Sequence, residues 1–527
     1  MKKLLFSVAL SAFTVVAFAQ TNTSTIKQNS SGVGHVAVVT QSGASVEGNT
    51  SLVKQKGEEQ TAYVDQVGNG NESVVKQNQD IVGKKNTALV GQVGDDNSSK
   101  ILQTEESNYA EVMQFGDRNK AVIDQKTSGG WVDENNEATI YQDGDDNKAK
   151  IAQDGTYLGA WVTQEGNDNK ATVDQTTKPG AVAPYRHEAT VWQYGNEGRV
   201  GVTQTGKFNV ATVEQGGFKN KAFVDQSKKR NTAYVMQEGE KNKTYVDQSG
   251  KRNGATVYQT GDKGYIEVGQ SGNDNAAMVG QSGLKNSAWL AQSGDDNIAG
   301  VTQMDGVKNE ASVDQSGDAS LALVNQFGGK KNITDVSQSG VAGIAAVAQI
   351  DGKRNETYVT QEGALQIAAV AQDGGRDNLA VVEQAGIAEA AIVGQRDNKE
   401  TQALVFQYDG GLNLALVGQE GNENSTAYVR QFDGIGNFAG IGQTNSEMSL
   451  AAVVQQGSLL GRSGIYQNNQ EGSTAISYQT GMGGHMSQIN QYGGSNNHAW
   501  TFQIGSTTQN SLVDQWGDNN VALTIQY

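Results

Sequence analysis

The sequence predicts an all-β fold: a β-solenoid with two strands per coil and about 21 stacked coils. Three observations predict it. A glutamine recurs 43 times between Gln28 and Gln526, mostly 11 or 12 residues apart. The residues at even offsets before it are restricted, whereas those at odd offsets vary. Between Gln303 and Gln407 the step alternates strictly, 12 then 11.

The strand comes first. Two residues before the glutamine stands Val, Ile or Leu in 40 of 43 repeats, the exceptions being Ser477, Thr501 and Thr524. Four residues before it is Ala in 31 of 43, and six before it is Asn in 26 of 43. Period two is the strand period, so Asn, Ala, Val and Gln share one face. Composition alone would also permit a disordered Gln/Asn/Gly-rich chain. A disordered tract would not hold an aliphatic at 40 of 43 equivalent places, which decides for the repeat fold.

The turn comes next. After each glutamine the pattern is x-Gly, then two or three of Asn, Asp, Lys and Gly, as at Gly272, Gly283 and Gly294. These are turn formers, with Gly free to take a positive φ.

The number of strands per coil follows from the alternating step. The longer step carries Asn309, Asn332, Asn355 and Asn378 in the Asn position, the shorter one Ser320, Gly343, Gln366 and Glu389. Two unequal halves of a 23-residue repeat need a two-strand coil; three strands would mix long and short steps on one edge. At about 4.8 Å per coil the stack would run to about 100 Å. Residues two glutamine steps apart should then superpose, Val257 on Val279 on Val301. The columns Gln259, Gln281, Gln303 and Gln270, Gln292 should carry amide ladders, as should Asn253, Asn275, Asn297 and Asn286. A buried amide is costly unless paired, and strict counting keeps each amide beneath another.

Longer steps mark insertions near 78–86, 126–136 and 176–187 in a single repeat domain spanning 20–527. The three lie four steps apart, so all should leave from one edge. Both prolines, Pro179 and Pro184, fall in the third. Residues 1–19 read as a signal peptide: Lys2 and Lys3, an apolar run to Val16, then Ala17-Phe18-Ala19, with cleavage between Ala19 and Gln20. No later apolar run approaches 18 residues, so no membrane insertion of the mature chain is expected. Cysteine is absent, so no disulfide framework holds an exported protein of this kind. The formal charge of −17 argues against nucleic acid as a partner.

The unit Gln-x-Gly-x-x-Asn-x-Ala-x-Val-x-Gln, as in "QVGDDNSSKILQ" (Gln92–Gln103) and "QSGNDNAAMVGQ" (Gln270–Gln281), resembles the curlin repeat of the curli subunits. Curli subunits typically carry a handful of repeats; this chain carries many more. The resemblance implies a structural extracellular protein, not an enzyme. It implies a functional amyloid fibre, or pilus-like surface fibre, that serves adhesion and biofilm matrix formation. It also implies export through the periplasm and an outer-membrane pore, a nucleator, and other curli-like subunits as partners.

Other chemistry is sparse. His35, His187 and His485 stand in Asn positions and His498 stands alone, so neither catalytic nor metal sites are expected, and no cofactor. The "GDDN" turns at 94–97, 144–147 and 294–297 match no known calcium repeat and read as turn formers. Outward aromatics three residues before the glutamine, such as Phe223, Tyr245 and Trp289, suit either surface contacts or stacking on each other. Neither end shows a cap: "NTSTIKQ" (Asn22–Gln28) and "NNVALTIQY" (Asn519–Tyr527) already fit the repeat. Head-to-tail self-assembly is therefore expected. The alternatives are a capped, non-polymerising surface adhesin and a solenoid enzyme acting on polysaccharide.

Overall fold

The computed structural model describes residues 21–30, 34–43, 47–78, 85–105, 107–127, 135–177 and 186–527. The segment read as a signal peptide, with Ala19 and Gln20, and the central parts of the three insertions lie outside the described residues. Among the described residues there is no helix, and 43 strands follow one another from Thr23–Ser30 to Val521–Gln526. Paired two to a coil they make about 21 coils.

The chain divides into two compact units, Met1–Thr156 with Trp161–Asp168, and Tyr157–Ala160 with Asn169–Tyr527. Each has the same construction. Odd-numbered strands along the chain form one parallel sheet and even-numbered strands the other. In the first unit the strand Thr50–Gly57 pairs with Thr23–Ser30 and Glu72–Asn78, and Thr61–Val67 pairs with Val36–Ser42 and Thr87–Val93. In the second, Ala276–Gln281 pairs with Gly254–Gln259 and Ile298–Met304. The registers place Val257 on Val279 on Val301.

Burial alternates along the strands, because period two sends Ala, Val and Gln inward and the odd offsets outward. Val257, Val279 and Val301 are fully buried. Ala and Val are small, and the two sheets come close enough for a glutamine of one to bond a backbone carbonyl of the other, as Gln270 does with Gly254. The three polar exceptions to the aliphatic rule stand on one another: Ser477 pairs with Thr501, and Thr501 with Thr524.

Each of the three longest insertions joins an odd strand to an even one: Glu72–Asn78 to Thr87–Val93, Lys120–Lys126 to Glu137–Asp143, and Lys170–Thr176 to His187–Gln193.

Candidate functional site

The chemistry of this molecule lies in its stacked polar columns. Gln237 Nε2 donates to Gln259 Oε1 at 2.8 Å, Gln259 to Gln281 at 2.8 Å, and Gln281 to Gln303 at 2.7 Å. In the facing sheet Gln248 donates to Gln270 and Gln270 to Gln292, both at 2.8 Å. The sense is the same in both columns: each of these amide nitrogens donates to the glutamine one coil further along the chain. The second N–H goes across the core, Gln270 to the Gly254 carbonyl at 3.1 Å and Gln292 to that of Ala276 at 3.2 Å. Both donors and the acceptor of Gln270 and Gln292 are thus engaged, which offsets the desolvation cost of burying them. Aligned amide chains also polarise one another.

The asparagines bond differently. Asn253 Oδ1 accepts the backbone N–H of Asn275 at 3.0 Å, and Asn275 Oδ1 that of Asn297 at 2.9 Å. Their Nδ2 groups donate to turn carbonyls of the next coil, Asn253 to Gly272 at 2.9 Å and Asn275 to Gly294 at 2.7 Å. Asn286 Nδ2 reaches the Ser282 carbonyl of its own turn at 2.6 Å and the Gly306 carbonyl one coil on at 3.3 Å, and its Oδ1 accepts from Asn309 N at 2.9 Å. Amide-to-amide ladders were the expectation. With one methylene fewer than Gln, Asn keeps its amide beside the turn, where backbone groups need partners.

The turn glycines also differ from the expectation. Gly272 and Gly294 do not take a left-handed φ; a Cβ on either would lie 1.7 or 1.8 Å from the carbonyl oxygen of the glycine one coil up. Close stacking, not φ, demands glycine there. Gly283 meets both demands, with φ +89 and a Cβ position 2.3 Å from Gly306 O. The left-handed residue of the turn is the one before the Asn position: Asp274 (φ 56), Lys285 (φ 59) and Asp296 (φ 57).

The acidic turns make backbone bonds. Asp295 Oδ1 accepts Asn273 N at 2.8 Å, and Asp117 Oδ1 accepts Asp95 N at 2.8 Å. No group of three or more His, Asp or Glu poised for a metal occurs among the described residues. His35, His187 and His485 occupy Asn positions, and two of them act as amide substitutes: Asn209 N donates to His187 Nδ1 at 3.1 Å, and Gln60 N to His35 Nδ1 at 3.3 Å. Burial pushes the His187 imidazole down to about 4, so it stays neutral and keeps that acceptor. Burial pushes the Glu389 carboxyl up to about 7. Outward aromatics stack on each other: Phe223 on Tyr245 at 5.4 Å, and Tyr245, Tyr265 and Trp289 in continuation at 5.8 and 5.9 Å. No described helix is long and apolar enough to cross a membrane.

Compared with known families, the chain matches the curlin associated repeat at residues 47–78, 134–176, 199–227, 229–261, 246–272 and 272–304. No curated protein matches it.

Proposed function

We propose that this chain, which matches the curlin associated repeat in six segments, is a structural extracellular protein, a subunit of a curli-like amyloid fibre that grows head to tail. The observation that carries the reading is the constant sense of the ladder. Every coil offers glutamine N–H on one side and glutamine Oε1 on the other. Any coil is therefore a template for any other, in the same molecule or the next. Among the described residues the strand Val521–Gln526 has only His498–Ile504 as a neighbour, and Thr23–Ser30 only Thr50–Gly57. A second copy added there extends both the backbone ladder and the amide columns. Such a contact does not close on itself, so it makes a filament.

Adhesion and biofilm cohesion are the work such a fibre would do, with self, other curli-like subunits, an outer-membrane export pore and a nucleator as its partners. The test is to incubate the purified mature protein and follow it by electron microscopy and fibre diffraction. Fibres with a meridional spacing of about 4.8 Å are expected. A protein that stays monodisperse for days at high concentration, with its β-structure intact, overturns the reading in favour of a capped adhesin.

A further inference from the structure

The two outer faces of the second unit are unlike. Consider the outward positions one, three and five residues before the glutamine, in the even strands from Ile298–Met304 to Phe438–Thr444. Of these 21 residues none is charged, and only Thr302 and Asn325 are polar. The odd strands from Glu310–Gln315 to Leu450–Gln456 carry six charges at the same positions, among them Glu310, Asp335 and Arg430. The apolar face is open: Ile298 is 52% exposed, Ile367 45% and Ile392 48%. It continues round the adjoining edge through Leu365, Ile387, Leu412 and Ile435, each at least 55% exposed. On its other border a charged rim begins, with Arg396 between Asp373 and Glu420.

Seven coils at about 4.8 Å and a strand width of roughly 15–20 Å give about 600 Å² of flat face, and the edge adds to it. That is at the upper end of the roughly 300–600 Å² of the largest apolar patch on an ordinary monomer and, with the edge, approaches the ~800 Å² per partner of a stable interface. The relief is regular. The column five before the glutamine is mostly bulky, as at Ile344, Ile367 and Leu414. The column one before it starts with Thr302 and Asn325 and is small in the next five strands: Ala348, Ala371, Gly394, Gly418 and Gly442. Gly394 and Gly418 have no internal reason to be glycine. Neither takes a left-handed φ, and a Cβ on either would meet nothing within 4 Å. Glycine in a strand interior weakens it and marks a place where something else comes close.

We propose that this face binds a second copy of the chain, face to face, about a two-fold axis parallel to the solenoid axis. A surface repeating at every coil over seven coils is matched by a partner with the same repeat, and this chain has it. That axis sets the bulky column of each copy against the small column of the other, and the column three before the glutamine against itself. The contact is isologous and dry, two sheets about 10 Å apart. It goes beyond end-to-end growth, because it joins filaments side by side and does not require them.

The test is mass per length of fibres by scanning transmission electron microscopy, with Ile367→Lys/Gly394→Lys and, on the opposite face, Ser337→Lys/Thr360→Lys. The wild type should show twice the mass per length of one solenoid. The first pair should halve it and the second leave it unchanged. The chain has no cysteine, so Ala369→Cys should cross-link to its own copy, and Tyr358→Cys on the other face should not. If end-to-end growth fails altogether, sedimentation equilibrium reads the same question: a dimer turned monomeric by the first pair. Single-solenoid mass per length or a monomeric wild type overturns the proposal, as does pairing that survives the two lysines in a variant with wild-type circular dichroism.

Discussion

Between Gln303 and Gln407 the two turn edges of the second unit do the same mechanical job with different chemistry. On the edge leading into odd strands Asn fills the Asn position from Asn286 to Asn378, and Thr401 follows, its N–H on Asn378 Oδ1. Asn286 accepts the backbone N–H of Asn309, Asn309 that of Asn332, Asn332 that of Asn355, and Asn355 that of Asn378. On the edge leading into even strands that chain stops at Ser320, whose N–H goes to Asn297 at 2.9 Å. Gly343, Gln366 and Glu389 follow. Yet the strands beyond that edge keep perfect register: Val324 on Val347, Val347 on Val370, Val370 on Val393. Register is therefore held by the backbone ladder and the glutamines. The asparagines hold the turn.

That separation makes an ordered set of expectations. The largest effect belongs to the core that both edges enclose. Val279→Asp leaves an unpaired buried charge and should cost about 3–5 kcal/mol. Gly280→Asp, one residue on and facing out where a Cβ meets nothing, should stay within about 0.5 kcal/mol. Chemical denaturation of the freshly purified chain reads both. Equal effects would mean that the inward assignment of Val279 is wrong.

Next comes the Asn edge itself. Asn355→Ala removes the bond from Nδ2 to the Gly374 carbonyl at 2.9 Å and orphans the N–H of Asn378. The cost should be about 2 kcal/mol. Ser320→Ala on the other edge loses only a 3.5 Å contact to the Asp318 carbonyl and should cost under about 0.5 kcal/mol. Similar losses at the two positions would erase the distinction between edges.

Glu389 sharpens the contrast further, because the gapped edge buries a carboxyl where an amide belongs. Burial is the main cause that pushes it up to about 7, and nearby Asp409 adds to it. The folded state therefore holds a proton that the unfolded chain releases near 4.5. This contribution is intact below about pH 4.5 and is lost as pH rises through 7. Glu389→Gln should be more stable than wild type at pH 8, by something on the order of 1–3 kcal/mol, and equal to it at pH 4.5. A difference between the two proteins that does not change with pH would contradict the assignment. His187 works in the opposite sense. With its imidazole lowered to about 4, its contribution is present above about 6.5 and is lost as pH falls through 4.

Much of this was legible in the sequence, and the limits have physical causes. The strand, the two-strand coil and the stacking of Val279 on Val257 follow from period two and the alternating step. The bonding of Asn275 was not legible, because periodicity shows that residues stack but not which atoms meet. The glycine at position 272 was read through φ, when the constraint is a neighbouring coil that only stacking reveals. The apolar face was hidden by counting all odd offsets together. Ile344, Ile367 and Leu414 belong to one sheet, and Asp335, Glu356 and Arg430 to the other. Sorting the outward residues by alternate strands exposes the difference at once.

The smallest expected effect concerns charge on the Asn edge. The left-handed residue before the Asn position is Lys219, Lys241, Lys263, Lys285, Lys308, Lys331 and then Arg354 in seven successive coils. Each sits above the last: Lys285 N bonds the Asp262 carbonyl, and Lys308 N that of Leu284. The other edge has Arg252 and then Asp274 at the same level, an ion pair. Seven like charges about 5 Å apart along an exposed edge repel one another, weakly in water and less in salt. Lys285→Glu places an opposite charge between Lys263 and Lys308 and should stabilise the chain at low ionic strength by about 0.5 kcal/mol or less. In 1 M salt, where the screening length is about 3 Å, the gain should vanish. A gain that persists in 1 M salt would mean that the substitution acts on the left-handed backbone of the turn and not on its charge.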